Sequence, residues 1–120
     1  MGSNDKHVTI RQLKEKIQKF VSARKWEPYH NPKNLAEAIC IEAAELLEVF
    51  QWATVEEVSS WMNIPSKMSH IKEELADVFI YCLSMANVLE IDVSEAVLEK
   101  LSKNEVKYPV NKYFGRARLE

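Results

Sequence analysis

Apolar residues recur at helical spacing along most of the chain. After Thr9-x-x-Gln12, a capping-box sequence, Ile10, Leu13, Ile17, Phe20 and Val21 repeat at helical spacing and predict a first helix to about Lys25. The stretch Trp26-Glu27-Pro28-Tyr29-His30-Asn31-Pro32 carries two prolines that block regular structure, and reads as a loop. A second helix is expected from about Lys33 to Ala53. Thr54-x-x-Glu57 reads as the cap of a short connecting helix ending near Met62, and Asn63-Ile64-Pro65 as the break before a long third helix. From Ser66 to about Glu90, residues Met68, Ile71, Leu75, Val78, Cys82, Met85 and Leu89 alternate spacings of three and four, the seam of a helix packed lengthwise on a partner. Asp92-x-x-Glu95 caps a fourth main helix to about Lys107, which Tyr108-Pro109 ends. No internal repeat and no sustained period-two alternation appears. The expected fold is therefore all-α, an antiparallel helical bundle of four main helices plus a short connecting helix.

The second helix sets the chemical problem. Fourteen of the nineteen residues from Leu35 to Ala53 are apolar, which predicts burial on most sides. At roughly 100° per residue, Glu37, Glu48 and Gln51 share one stripe that can face water, while Glu45 stands about 80° and Glu42 about 140° away. Glu42 points where the apolar residues point. A buried carboxylate costs several kcal/mol unless a cation accompanies it. Lys and Arg are scarce here: residues 26–99 hold fourteen Asp/Glu and three Lys/Arg, a balance of −11, whereas the two ends together carry +9. In the third helix Glu74 and Asp77 repeat the i,i+3 spacing, about 60° and 4.5 Å apart along the axis.

Four carboxylates brought together without a cation repel by roughly 1 kcal/mol per 4 Å contact in water, and by about 4 kcal/mol at an effective dielectric of 20. They must diverge or bind metal. The metal reading assigns Glu42, Glu45, Glu74 and Asp77 as ligands, and an all-oxygen donor set suits Mg²⁺ or Mn²⁺ rather than Zn²⁺. The competing reading for the second pair is a solvated face shared with His70, Glu73, Tyr81 and Ser84.

At 120 residues a single domain over residues 1–120 is expected, with its core over about 9–110 and oligomerisation to supplement a modest interior. Net charge is −2, which recruits neither nucleic acid nor membrane. No apolar run approaches the roughly 20 residues of a membrane span, and no secretory leader pattern opens the chain. Cys40 and Cys82 lie in apolar helical runs and are expected to be buried free thiols, consistent with a cytoplasmic location.

The ordered segments Trp26-Glu27-x-Tyr29-His30-x-Pro32-x-Asn34-Leu35, Glu42-x-x-Glu45, Phe50-Gln51-Trp52, Glu74-Leu75-x-Asp77-Val78-x-Ile80-Tyr81 and Lys100-x-x-x-Asn104-x-x-x-Tyr108-Pro109 resemble the MazG-like all-α nucleoside triphosphate pyrophosphohydrolases, especially their dCTP pyrophosphatase branch. That resemblance implies Mg²⁺-dependent cleavage between the α and β phosphates, giving a nucleoside monophosphate and pyrophosphate, in a homodimer or homotetramer. It implies a base pocket of Trp26, His30 and Trp52, with His30 hydrogen-bonding and the tryptophans stacking, and assigns Tyr81 to substrate binding. Lys100, Asn104 and Tyr108, at i, i+4 and i+8, would contact phosphate and ribose. Glu45 is the preferred general base. The stretch Glu105-Val106-Lys107 carries less Arg than that branch does, so the grip on the triphosphate tail is expected to differ. The substrate expected is dCTP or a modified dCTP; the rivals are dUTP, a broad range of nucleoside triphosphates, and a non-catalytic helical adaptor holding a structural cation.

Overall fold

The computed structural model describes residues 2–118. Among these the regular elements are all helical: α1 (Ile10–Ala23), α2 (Pro32–Phe50), α3 (Val55–Ser59), α4 (Pro65–Leu89), α5 (Val93–Lys107) and α6 (Val110–Tyr113), with single 3₁₀ turns at Glu27–Tyr29 and Trp61–Asn63. Four helix starts are set by side chains that accept from the otherwise unbonded first amides. The Gln12 N–H donates to Thr9 Oγ1 and the Thr9 N–H to Gln12 Oε1, completing the capping box of α1. Asn31, Thr54 and Asp92 accept in the same way from Asn34, Glu57 and Glu95.

After Glu90 the chain divides into two compact units. In the first, α2 packs along α4, and α1 also packs on α4. Its buried apolar residues are Val21, Leu35, Trp61, Leu83 and Ala86, and Leu35 is 1% exposed. The Phe50 and Trp61 rings stack at 5.6 Å, closing the far end of α2 over the turn that leads into α4. The Asn87 side chain donates to the Lys14 carbonyl at 3.0 Å, which ties α1 to α4. The second unit contains α5 and α6. No helix of the described residues is long and apolar enough to cross a membrane.

Several expectations change. Tyr108-Pro109 ends α5 but also starts α6: Pro109, which needs no amide partner of its own, offers its carbonyl to the N–H groups of Lys112 and Tyr113. Six helices result, one more than expected. The proline-containing loop tightens into the Glu27–Tyr29 turn because Pro28 falls in its first positions, where no amide is required. In the single chain α2 is not buried on most sides: Leu35 is its only buried residue, and Ile41 and Leu47 are 58% and 62% exposed. Cys40 and Cys82 are likewise exposed rather than buried.

Candidate functional site

The contact between α2 and α4 gathers the acids. Glu42, Glu45 and Glu74 each place a carboxylate oxygen within 4.8 Å of the other two. Glu42 and Glu74 are half-buried and Glu45 is exposed. Glu42 Oε2 and Glu74 Oε2 are sealed from solvent and have no hydrogen-bond partner. Asp77, also half-buried, lies outside the convergent three, but its charge raises the proton affinity of Glu42. The two i,i+3 pairs thus meet as three converging groups and one neighbour.

The electrostatics follow from that convergence. The Glu42 carboxyl, ordinarily titrating at 4.5, is pushed up to about 7, first by burial, then by its hydrogen bond with Glu45, and then by the charges of Glu45, Asp77 and Glu74. Lys33, the only basic residue of α2, donates to Glu37 at 2.6 Å on the outer face, and that carboxylate holds its ammonium pKa above the ordinary value. The nearest partner is His70, whose Nε2 lies 3.5 Å from Glu74 Oε1. The i,i+4 spacing of His70 and Glu74 is the sequence signal for this contact.

A divalent cation fits this donor set. The groups are all hard carboxylate oxygens, and the two orphaned oxygens lack the positive partner that buried carboxylates require. Glu42, Glu45 and Glu74 could hold such an ion together, with Asp77 adjacent.

On the same stripe of α4, one and two turns beyond Asp77, lie Tyr81 and Ser84. The His30 ring stacks with Trp26 at 6.4 Å and with Tyr81 at 6.3 Å between centroids. Phe20 meets Trp26 edge-on at 5.7 Å, and the Arg24 guanidinium sits 3.7 Å above Phe20. Trp26, His30 and Tyr81 therefore come together. Trp52 does not join them: it is 88% exposed, and it has no part in the ring contacts of the described residues.

Lys100, Asn104 and Tyr108 lie along α5 in the second unit, with Lys100 exposed and Asn104 half-buried. The Tyr108 N–H donates to the Asn104 carbonyl at 2.7 Å. The Tyr108 ring stands edge-on to Tyr113 at 5.1 Å, and the Lys107 ammonium lies 5.3 Å from its centroid. The turn that presents Tyr108 is thus held by α6, an element not anticipated.

Comparison with known proteins places the chain. A model of the MazG-like family matches residues 38–118. The dCTP pyrophosphatase 1 of Bos taurus is 35% identical over 109 residues, covering 91% of this chain and 64% of that protein. The protein of the same name from Homo sapiens is 35% identical over 103 residues, 86% of this chain and 61% of that one. The chain therefore spans somewhat under two thirds of the length of these curated relatives. A pyrophosphatase from Archaeoglobus fulgidus, known from its crystal structure, is 41% identical with a TM-score of 0.76, over 91% of this chain and 98% of that one. With a family match over most of its length, and relatives at this identity, the chain belongs to the MazG-like family.

Proposed function

We propose that this protein hydrolyses nucleoside triphosphates, foremost dCTP or a base-modified dCTP, between the α and β phosphates, yielding a nucleoside monophosphate and pyrophosphate. The observation that carries the reading is the convergence of Glu42, Glu45 and Glu74 within 4.8 Å, two of them with an orphaned buried oxygen. Its setting is a chain 35% identical to proteins named dCTP pyrophosphatase 1.

Glu42, Glu45 and Glu74, with Asp77 beside them, would hold Mg²⁺ or Mn²⁺. Such a cation, when bound, neutralises polyphosphate charge and acidifies a coordinated water. The remaining steps belong to the chain. Glu45, the exposed member of the cluster, is the candidate base: its carboxylate takes the proton of the attacking water. Glu42 converges on the same point as Glu45 and would share the cation with it. His30, stacked with Trp26 and Tyr81, presents a hydrogen-bonding edge to the base, and Trp26 and Trp52 offer aromatic surface for stacking. Lys100, Asn104 and Tyr108 supply donors for phosphate and ribose.

The chain assembles as a homodimer or homotetramer. Support comes from α2, where Ile41 and Leu47 lie uncovered, and independently from α5, where Leu98 and Leu101 do.

A panel of nucleoside triphosphates, including dCTP, 5-methyl-dCTP and dUTP, tests the proposal with purified protein and Mg²⁺. Pyrophosphate release favouring the cytosine substrates is expected. Absence of pyrophosphate from every substrate would overturn the enzymatic reading in favour of a cation-holding adaptor.

A further inference from the structure

The two oxygens of Glu74 have different surroundings. Oε2 is sealed from solvent and has no hydrogen-bond partner, whereas Oε1 faces His70, whose Nε2 lies 3.5 Å away. His70 stands one turn earlier on α4, so its imidazole and the acidic cluster meet at one carboxylate.

The Lys33–Glu37 pair has the same i,i+4 spacing and shows what an ordinary surface pair looks like: both side chains are largely exposed, at 82% and 58%. In the His70–Glu74 pair the imidazole is 56% exposed but the carboxylate only 20%. At 3.5 Å and half in solvent, the contact adds little to folding stability. Its consequence is directional. The terminal torsion of a glutamate is broad, so an unrestrained carboxylate turns about its last bond. A donor on one oxygen limits that rotation, and thereby sets where the lone pairs of the other oxygen point. Carboxylates that ligate a metal depend on such outer partners, whose loss typically costs about 10–100-fold in metal affinity.

We propose that His70 is a positioning residue for Glu74: its Nε2–H donates to Oε1 and holds the carboxylate plane, so that Oε2 stays presented to the cation. An ionised carboxylate only accepts, so the ring nitrogen facing it carries the proton, in the neutral and the charged imidazole alike. The role rests on the cation reading above and adds to it a residue outside the acids assigned there.

The test is calorimetric titration of Mn²⁺ into the chelator-treated full chain, for wild type, His70→Ala and His70→Gln, with electron spin echo spectra of the Mn²⁺-loaded forms. His70→Ala should bind Mn²⁺ about tenfold more weakly, while its metal-free melting temperature stays near that of wild type. His70→Gln, whose amide N–H can reach the same oxygen, should recover most of the affinity. The wild-type spectrum should show no nitrogen coupling from a directly bound imidazole. Unchanged affinity in His70→Ala, or a glutamine variant as weak as alanine, would overturn the positioning role. So would tighter binding by His70→Ala, the sign expected if the imidazole acted only as a positive charge beside the cluster. Nitrogen coupling that His70→Ala abolishes would make His70 a ligand and overturn the role as well. A wild type that binds no Mn²⁺ would overturn the cation reading together with this inference, whereas tight binding indifferent to His70 would overturn this inference alone.

Discussion

Glu42 is the member of the acidic cluster whose removal has the least intuitive consequence: without metal, the variant should be more stable than the parent. The Glu42 carboxyl is raised from 4.5 to about 7, with burial as the leading cause and the hydrogen bond and charge of Glu45 next. The unfolded chain gives up this proton near pH 4.5, whereas the folded chain keeps it until about pH 7. Over that interval the folded state binds more protons, so metal-free stability falls as pH rises, and above about pH 7 the penalty is complete. At about 1.36 kcal/mol per pH unit the full displacement corresponds to about 3.4 kcal/mol. Solvent reaches the cluster from the exposed Glu45 side, and screening reduces the figure to about 1–2 kcal/mol. Glu42→Gln keeps the shape and removes the charge. In chelator-treated protein followed by circular dichroism, it should melt about 3–8 °C above wild type near pH 8 and close to wild type near pH 5. Mg²⁺ should then stabilise wild type and do much less for the variant. A variant that melts at or below wild type near pH 8, or a difference independent of pH, would refute the reasoning.

Further outcomes follow from other parts of the molecule. Leu35→Ala, at a side chain only 1% exposed, should lower the unfolding free energy by about 2–5 kcal/mol in a urea titration. Thr9→Ala breaks both halves of the α1 capping box and should cost about 1 kcal/mol in the same titration, without changing the turnover of substrate. Lys100→Ala removes a charge assigned to the phosphates and should raise KM for dCTP by about 10–100-fold while thermal stability stays near wild type.

How legible the molecule was depended on how local each signal is. Three helix starts were legible because Thr9, Thr54 and Asp92 act on amides only three residues away. Glu42 was legible because a carboxylate on an apolar face has few alternatives to a cation. Ile41, Leu47, Cys40 and Cys82 were misjudged as buried, since periodicity shows that a face is apolar but not whether the same chain covers it. Asp77 shares its spacing with Glu45, yet only three groups converge, because helix phase fixes direction and not the lateral offset of α2 on α4. The sealed Nδ1 of His30 and the Ser84 hydroxyl left no periodic trace, because the burial of a histidine between prolines and of a small polar residue in α4 is set by segments distant in sequence. α6 was missed because Pro109 was read as a terminator, and it serves equally as a start.

The central claim is that Glu42, Glu45 and Glu74 support metal-dependent cleavage between the α and β phosphates. Chromatographic separation of the products formed from dCTP in the presence of Mg²⁺, by wild type and Glu74→Gln side by side, tests it most directly. Wild type should yield dCMP and pyrophosphate in equal amounts, and Glu74→Gln should yield neither above background. Formation of dCDP and phosphate, or undiminished turnover by Glu74→Gln, would contradict it.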